Sequence, residues 1–264
     1  MAASQRHLAS RSNPLLVRLR RLAGDPAAYR KLGEVLLEGD HLCSAYLQRG
    51  GVAPLALITE AGWEEPALRD IAGRAASVVV LPPALMASLS SLDSPPALAF
   101  AVPWRGAGSL QPAAPSVVLD RLQDAGNVGT ILRSAAAFGF TQVLAIKGTA
   151  ALWSPRVLRA AMGAHFALNL VEGLAASDLA ALETPLFATS SHAARAIGDA
   201  ALSWPCAFAF GHEGQGLAPE LLQRCRDELR IHQPGGEESL NVGAAAAVCL
   251  YESARQRASA SRGR

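Results

Sequence analysis

The side chains best suited to chemistry stand in three short stretches rich in glycine and polar residues. The first runs from Asp120 to Arg133. In it Asn127 falls near a helix start, and Arg133 lies among Ile131, Leu132, Ala135 and Ala136. A guanidinium on a mostly apolar face is costly unless it has a partner, lines a site or snorkels to solvent. The second stretch is Gly211-His212-Glu213-Gly214-Gln215-Gly216-Leu217. Its glycines let backbone approach a ligand closely, although a plain turn reads the same way. Glu213 is its only carboxylate, and His212 reads as a loop histidine rather than a base. The third stretch runs from Ile231 to Val242, where Pro234 and Gly235-Gly236 prevent regular structure. Ser239 and Asn241 then open an alanine-rich run; both are good N-cap residues, and alanine is the best helix former. A loop entering a helix N-terminus offers unpaired N–H and C=O groups to a small polar ligand, and an ordinary capped helix fits the same residues.

Each stretch follows an apolar segment of strand length. Ser116–Leu119, 142–146, 167–171, 186–189, 206–210 and 228–231 read as strands. Helices are expected over 128–138, 156–162, from Ser177 to Leu182, over 219–225 and to about Ala254. Short apolar strands alternating with helices predict a mainly parallel sheet covered on both faces. Ligands of such sheets bind beyond the carboxyl ends of the strands, where all three stretches fall. The first half has the same α/β character, with strands at 35–39, 55–59, 77–81 and 97–102 and a helix opened by Asn13-Pro14. Gly, Pro and Ser dominate from Trp104 to Pro115. The expected organisation is a first domain over 1–105, a linker over 106–115, a second domain over 116–257 and a basic tail over 258–264.

Composition narrows the function classes. Hydrophobic residues make up 50% and charged residues 17% of the 264, enough for a core and against disorder. A net charge of +2 alone does not mark a nucleic-acid binder. The ends are basic, however: residues 1–31 carry Arg6, Arg11, Arg18, Arg20, Arg21, Arg30 and Lys31 against Asp25 alone. Such an end suits a polyanion, or a merely solvated helix face. The four cysteines are far apart and form no C-x-x-C pair, so neither a zinc site nor a redox motif is supported, and Cys206 and Cys249 are expected in the core. No apolar run approaches the ~18–20 residues of a membrane span. A cytoplasmic protein with reduced thiols is the simplest expectation.

Taken in order, the three stretches resemble the motifs of the SpoU-type ribose 2′-O-methyltransferases of the SPOUT superfamily. Gly126-Asn127-Val128-Gly129 with Arg133 matches the first motif, Phe210 to Leu217 the second, and Ile231 through Pro234-Gly235 with Glu238-Ser239-Leu240-Asn241-Val242 the third. Arg159 to Ala164 is a lesser match. Glu38-Gly39 and 40–47 resemble the L30e-like RNA-binding domain that precedes many of these enzymes. The chain departs from the pattern at Gly243, where the family often has serine, and at Ile231-His232-Gln233-Pro234, in place of the usual Ile-Pro-Met.

The resemblance implies an α/β fold with a deep C-terminal trefoil knot, an exception to the rule against threaded loops. It implies S-adenosyl-L-methionine as methyl donor, held largely by backbone at Gly211, Ile231 and Leu240 with Thr189 nearby. It makes Arg133 the central catalytic residue, with Asn127, Glu213, Ser239 and Asn241 positioning it and the ribose. Arginine stays protonated in proteins, so Arg133 is expected to stabilise charge rather than act as a base. No metal is implied. The partners implied are structured RNA, ribosomal RNA first, and a second copy of the chain in a homodimer. Transfer RNA as target, or a non-catalytic RNA-binding protein of ribosome assembly, are the alternatives; a nucleotide-binding oxidoreductase lacks its G-x-G-x-x-G fingerprint.

Overall fold

The computed structural model describes residues 4–90, 92, 94–235 and 239–262. The chain forms two compact units, Met1–Gly106 with Trp153–Phe166, and Ala107–Leu152 with Ala167–Arg264.

The first unit holds β1 (Ser4–His7), β2 (Glu34–Glu38), β3 (Leu55–Thr59), β4 (Ser77–Leu81) and β5 (Leu98–Pro103), in the order β1-β4-β3-β5-β2. Only β5 runs antiparallel to its neighbours. The Leu-Ala-Leu-Ile-Thr of β3 is buried throughout, as a central strand requires. Helix Pro14–Gly24 begins where expected, because Asn13 Oδ1 accepts from the Leu15 N–H at 3.0 Å. It buries Leu16, Leu19 and Leu22, each contributing ~1.5–3 kcal/mol. Helix Pro155–Ala161 packs against β2 of this unit.

The second unit is the parallel sheet expected from the alternating pattern. Its strands are β6 (Ser116–Leu119), β7 (Gln142–Ile146), β8 (Asn169–Leu174), β9 (Leu186–Thr189), β10 (Arg195–Ala196), β11 (Ala207–Phe210) and β12 (Asp227–Arg230). They lie in the order β10-β12-β9-β11-β6-β7-β8, every named pair parallel, so all carboxyl ends share one edge. The adjacent strands β11, β6 and β7 are buried at every position. One face packs Val118, Leu144, Ala188 and Ala209 against Leu217 and Leu221. On β11, Phe208 and Phe210 stack with ring centroids 6.5 Å apart, and Phe140 meets Phe208 edge-on. Helices Ala125–Phe138 and Val242–Arg262 pack together. They meet closely at Gly243, where a Cβ would stand 3.2 Å from Thr130 Cγ2, so glycine suits this approach.

Several bounds differ from expectation. Helix Ala125–Phe138 starts three residues before Val128, because Asp124 caps it by accepting from the Asn127 N–H at 2.7 Å. The Ser177 helix is a 3-10 segment, Ala176–Ala181, tied by the Ala175 N–H donating to Asp178 rather than by Ser177. The last helix continues to Arg262, with Arg255 and Gln256 both bonded to Glu252. Cys206 and Cys249 are buried as expected; burial pushes their thiols up to about 11 and about 12. No helix among the described residues is long and apolar enough to cross a membrane.

Candidate active site

The carboxyl ends of β9, β11 and β12 open into one cavity of about 1040 Å³. Residues 189–192 line it after β9, residues 210–217 after β11, and Ile231 and Gln233 after β12; Ser239 to Asn241, with Val242 and Ala245 of the last helix, close it. Of the residues expected at the site, Thr189, Gly211, Glu213, Ile231, Ser239, Leu240 and Asn241 line the cavity. Glu238 of the third motif lies outside the described residues.

The 211–217 loop is shaped by its own backbone. The His212 N–H donates to the Gly216 carbonyl at 3.1 Å and the Gly216 N–H to the His212 carbonyl at 2.8 Å. His212 Nδ1 accepts from the Gly214 N–H at 3.0 Å, a structural use of that ring. This closure brings the backbone of Gly216 and Leu217 against Gly211, where any Cβ would collide with it. Gly211 is therefore required for the loop's own path. Thr189 spends its hydroxyl on the Ala209 carbonyl at 2.9 Å, leaving backbone as its offering to the cavity. Leu217, Ile231, Leu240 and Val242 add apolar surface among these polar groups, and Leu240 is 41% exposed.

Asn127 does not line the cavity, but it joins two residues that do. Its side-chain amide donates to Glu213 Oε1 at 3.3 Å, and its Oδ1 accepts from the Asn241 amide at 2.9 Å. Asn241 Oδ1 in turn accepts from the N–H groups of Gly243 and Ala244 at 2.9 and 3.2 Å, capping the last helix. Asn241 thus caps the last helix, as expected, from a position on the cavity wall. Glu213 also takes the N–H groups of Gln123 and Asp124 at 3.5 and 3.3 Å. Burial works against its charge, but its own backbone N–H, the Asn127 amide and these two N–H groups prevail and hold its carboxyl below the usual range. The carboxylate is an ionised bracket between the first two loops.

Arg133 is placed differently. It is exposed on helix Ala125–Phe138 and is absent from the lining of this cavity. It lies six residues beyond Asn127, roughly 9 Å along the axis and about 120° away around it. No side-chain hydrogen bond or ion pair holds it among the described residues. Sequence reasoning also passed over Asp120 and Arg121, which follow β6 directly. Asp120 is 2% exposed, and Arg121 reaches from it to Gln215 and Gly216 of the second loop.

Comparison with known proteins fits this arrangement. Residues 114–251, all three loops included, match the SpoU rRNA Methylase family. An uncharacterized tRNA/rRNA methyltransferase of Synechocystis is 32% identical, over 96% of this chain and 95% of its own. The chain belongs to the SpoU rRNA methylase family. The expectations of an RNA methyltransferase and of S-adenosylmethionine as its methyl donor are borne out at the level of that family. A crystal structure of an RNA 2′-O ribose methyltransferase superposes with a TM-score of 0.81 at 30% identity, covering 96% of this chain and 100% of that one. AviRb from Streptomyces viridochromogenes, solved with AdoMet bound, shares the fold at a TM-score of 0.84 and 24% identity, covering 94% of this chain and 99% of its own.

Proposed function

We propose that this chain methylates a ribose 2′-hydroxyl of ribosomal RNA, with S-adenosylmethionine bound in the cavity at the ends of β9, β11 and β12. The carrying observation is the hydrogen-bonded chain Glu213–Asn127–Asn241, which ties the three loops around that cavity. The cavity suits the cofactor: it is concave, large enough for a ligand of that size, and mixes glycine backbone with Ile231, Leu240 and Val242. Gly211, Ile231 and Leu240 hold the cofactor through backbone, with Thr189 beside them. When bound, it supplies a sulfonium-activated methyl group.

The 2′-hydroxyl is a weak nucleophile, so the protein must favour its developing negative charge. Arg133 is the group for that task, paired with RNA phosphate and the alkoxide. Asn127, Glu213, Ser239 and Asn241 fix the ribose side. Arg133 lies outside its own chain's cavity, which supports a homodimer in which each Arg133 serves the partner's site, as the resemblance implies. The resemblance also supports a trefoil knot in the second unit and an L30e-like, RNA-binding first unit. There Arg11, Arg21 and Lys31 are exposed; Arg18, also exposed, pairs with Glu34 at 3.1 Å, and Arg20 bonds the carbonyls of Leu16 and Arg11. Exposed cations of this kind engage phosphate without reading sequence. We place the enzyme in the cytoplasm.

Mass spectrometry of nucleosides from fractionated ribosomal and transfer RNA of cells with and without the gene tests this reading. Loss of one 2′-O-methyl nucleoside from ribosomal RNA is expected. Loss from transfer RNA alone would move the substrate, and no loss in either would overturn the proposal.

A further inference from the structure

Arg121 is one of only two described non-glycine residues with positive φ, at 59°, a region where an L side chain is strained. The surroundings impose that conformation. Its N–H donates to Thr149 Oγ1 at 3.1 Å, and that hydroxyl donates to the Leu119 carbonyl at 3.0 Å. Its stem lies over Gly148, where a Cβ would stand 3.2 Å from Arg121 Cγ. The guanidinium grips Asp120 bidentately, Nε to Oδ1 at 2.9 Å and Nη2 to Oδ2 at 3.1 Å. Asp120 Oδ2 also accepts from the Ala218 N–H at 2.7 Å. From this anchored position Nη1 donates to Gln215 Oε1 at 3.1 Å and Nη2 to the Gly216 carbonyl at 3.3 Å. Gln215 and Gly216 line the cavity; Arg121 does not.

We propose that Arg121 is a positioning residue of the methyl-donor site, holding the 211–217 loop in the closed form that frames the cavity. The inference rests on the reading that the cavity binds S-adenosylmethionine. The strained backbone aims one planar fork at a buried carboxylate and at the loop tip together, an arrangement lysine cannot reproduce. A loop fixed before binding loses less freedom when the ligand arrives. Without the clamp only a fraction of molecules holds the competent loop, and apparent affinity falls by that fraction. The effect should therefore appear in affinity for the methyl donor and little in the chemical step.

The test combines calorimetric titration with S-adenosylhomocysteine and steady-state methylation of RNA from cells lacking the gene. It uses the full chain and the variants Arg121→Ala, Arg121→Lys, Gln215→Ala and Arg121→Ala/Gln215→Ala. Arg121→Ala is expected to raise the Kd and the KM for S-adenosylmethionine by about tenfold, with kcat within about threefold. Gln215→Ala should weaken binding in the native background and change it by less than about twofold once Arg121 is gone, the signature of a shared interaction. If Arg121→Ala unfolds, judged by circular dichroism, Arg121→Lys carries the test, and a native spectrum with weakened binding is expected. Native affinity in the folded Arg121 variants, or full additivity of the two substitutions, would overturn the assignment to Arg121 while leaving the cavity's role intact. An unaltered protein that binds no S-adenosylhomocysteine would remove the cofactor reading and this proposal together.

Discussion

The side-chain amide of Asn241 donates to Asn127 Oδ1 at 2.9 Å, joining two helix starts that are 114 residues apart in the chain. Each helix is capped at the same junction, by Asp124 in one case and by Asn241 itself in the other. Cap and site are therefore one structure, and one substitution should separate their contributions. Asn241→Ala removes the cap, worth ~1 kcal/mol, and should lower the melting temperature by roughly 2–4 °C. Asn241→Ser retains a capping oxygen but does not reproduce the amide donor to Asn127. It should melt near the native temperature and still methylate at least about tenfold more slowly, a barrier change of ~1.4 kcal/mol. Native turnover in Asn241→Ser, with a normal melt, would reduce Asn241 to a cap.

Glu213 makes the same junction sensitive to acid. Its carboxyl is held below its ordinary value of 4.5, so the charged form is favoured by folding. That stability is fully present above the ordinary value and is lost as pH falls through the lower folded value. Glu213→Gln should therefore melt below the native protein at pH 7, and the gap should close as pH drops below 4.5. Thermal melts of both proteins across that range provide the check. A gap that stays constant with pH would show that Glu213 contributes no charge-dependent stability.

Gly211 belongs to the loop's path, so a single added methyl group suffices to disturb it. The Cβ of Gly211→Ala would meet the backbone of Gly216 and Leu217, which cannot step aside as the end of a flexible side chain can. The loop must open, and S-adenosylhomocysteine affinity should fall at least about tenfold. Titration calorimetry measures this, and unchanged affinity would show that the loop tolerates a wider path.

These residues differ in how far the sequence exposes them. The strands β6, β7 and β11 are continuous apolar runs because both their faces are covered, and they were legible for that reason. Gly211, Glu213, Ser239 and Asn241 were legible because loop composition at strand ends carries local information. Strand β1 was not, because Ser-Gln-Arg-His pairs at the sheet edge through backbone alone. Arg121 was not, because its meaning depends on Gln215, 94 residues away. Asp124 was not singled out as a cap, since Asn127 nearby is also a capping type and only geometry shows which oxygen accepts.

Arg133 gives the most decisive test, because it is exposed and lies outside its own cavity. Arg133→Ala should leave stability within about 0.5 kcal/mol, as for surface changes generally, and leave S-adenosylhomocysteine binding intact. Methylation should fall at least ~10²-fold, the scale of losing a group that stabilises developing charge. Gly211→Ala is expected to fail for the opposite reason, with its cavity impaired and its Arg133 intact. Co-expressing the two variants with different tags, and purifying the mixed species, unites one sound cavity with one sound Arg133 on different chains. If Arg133 acts across a twofold dimer, one of the two sites is complete and about half the native activity returns. If it acts within its own chain, neither site is complete and the mixed dimer stays inactive. An inactive mixed dimer, or a protein that runs as a monomer at assay concentration, would overturn the shared site.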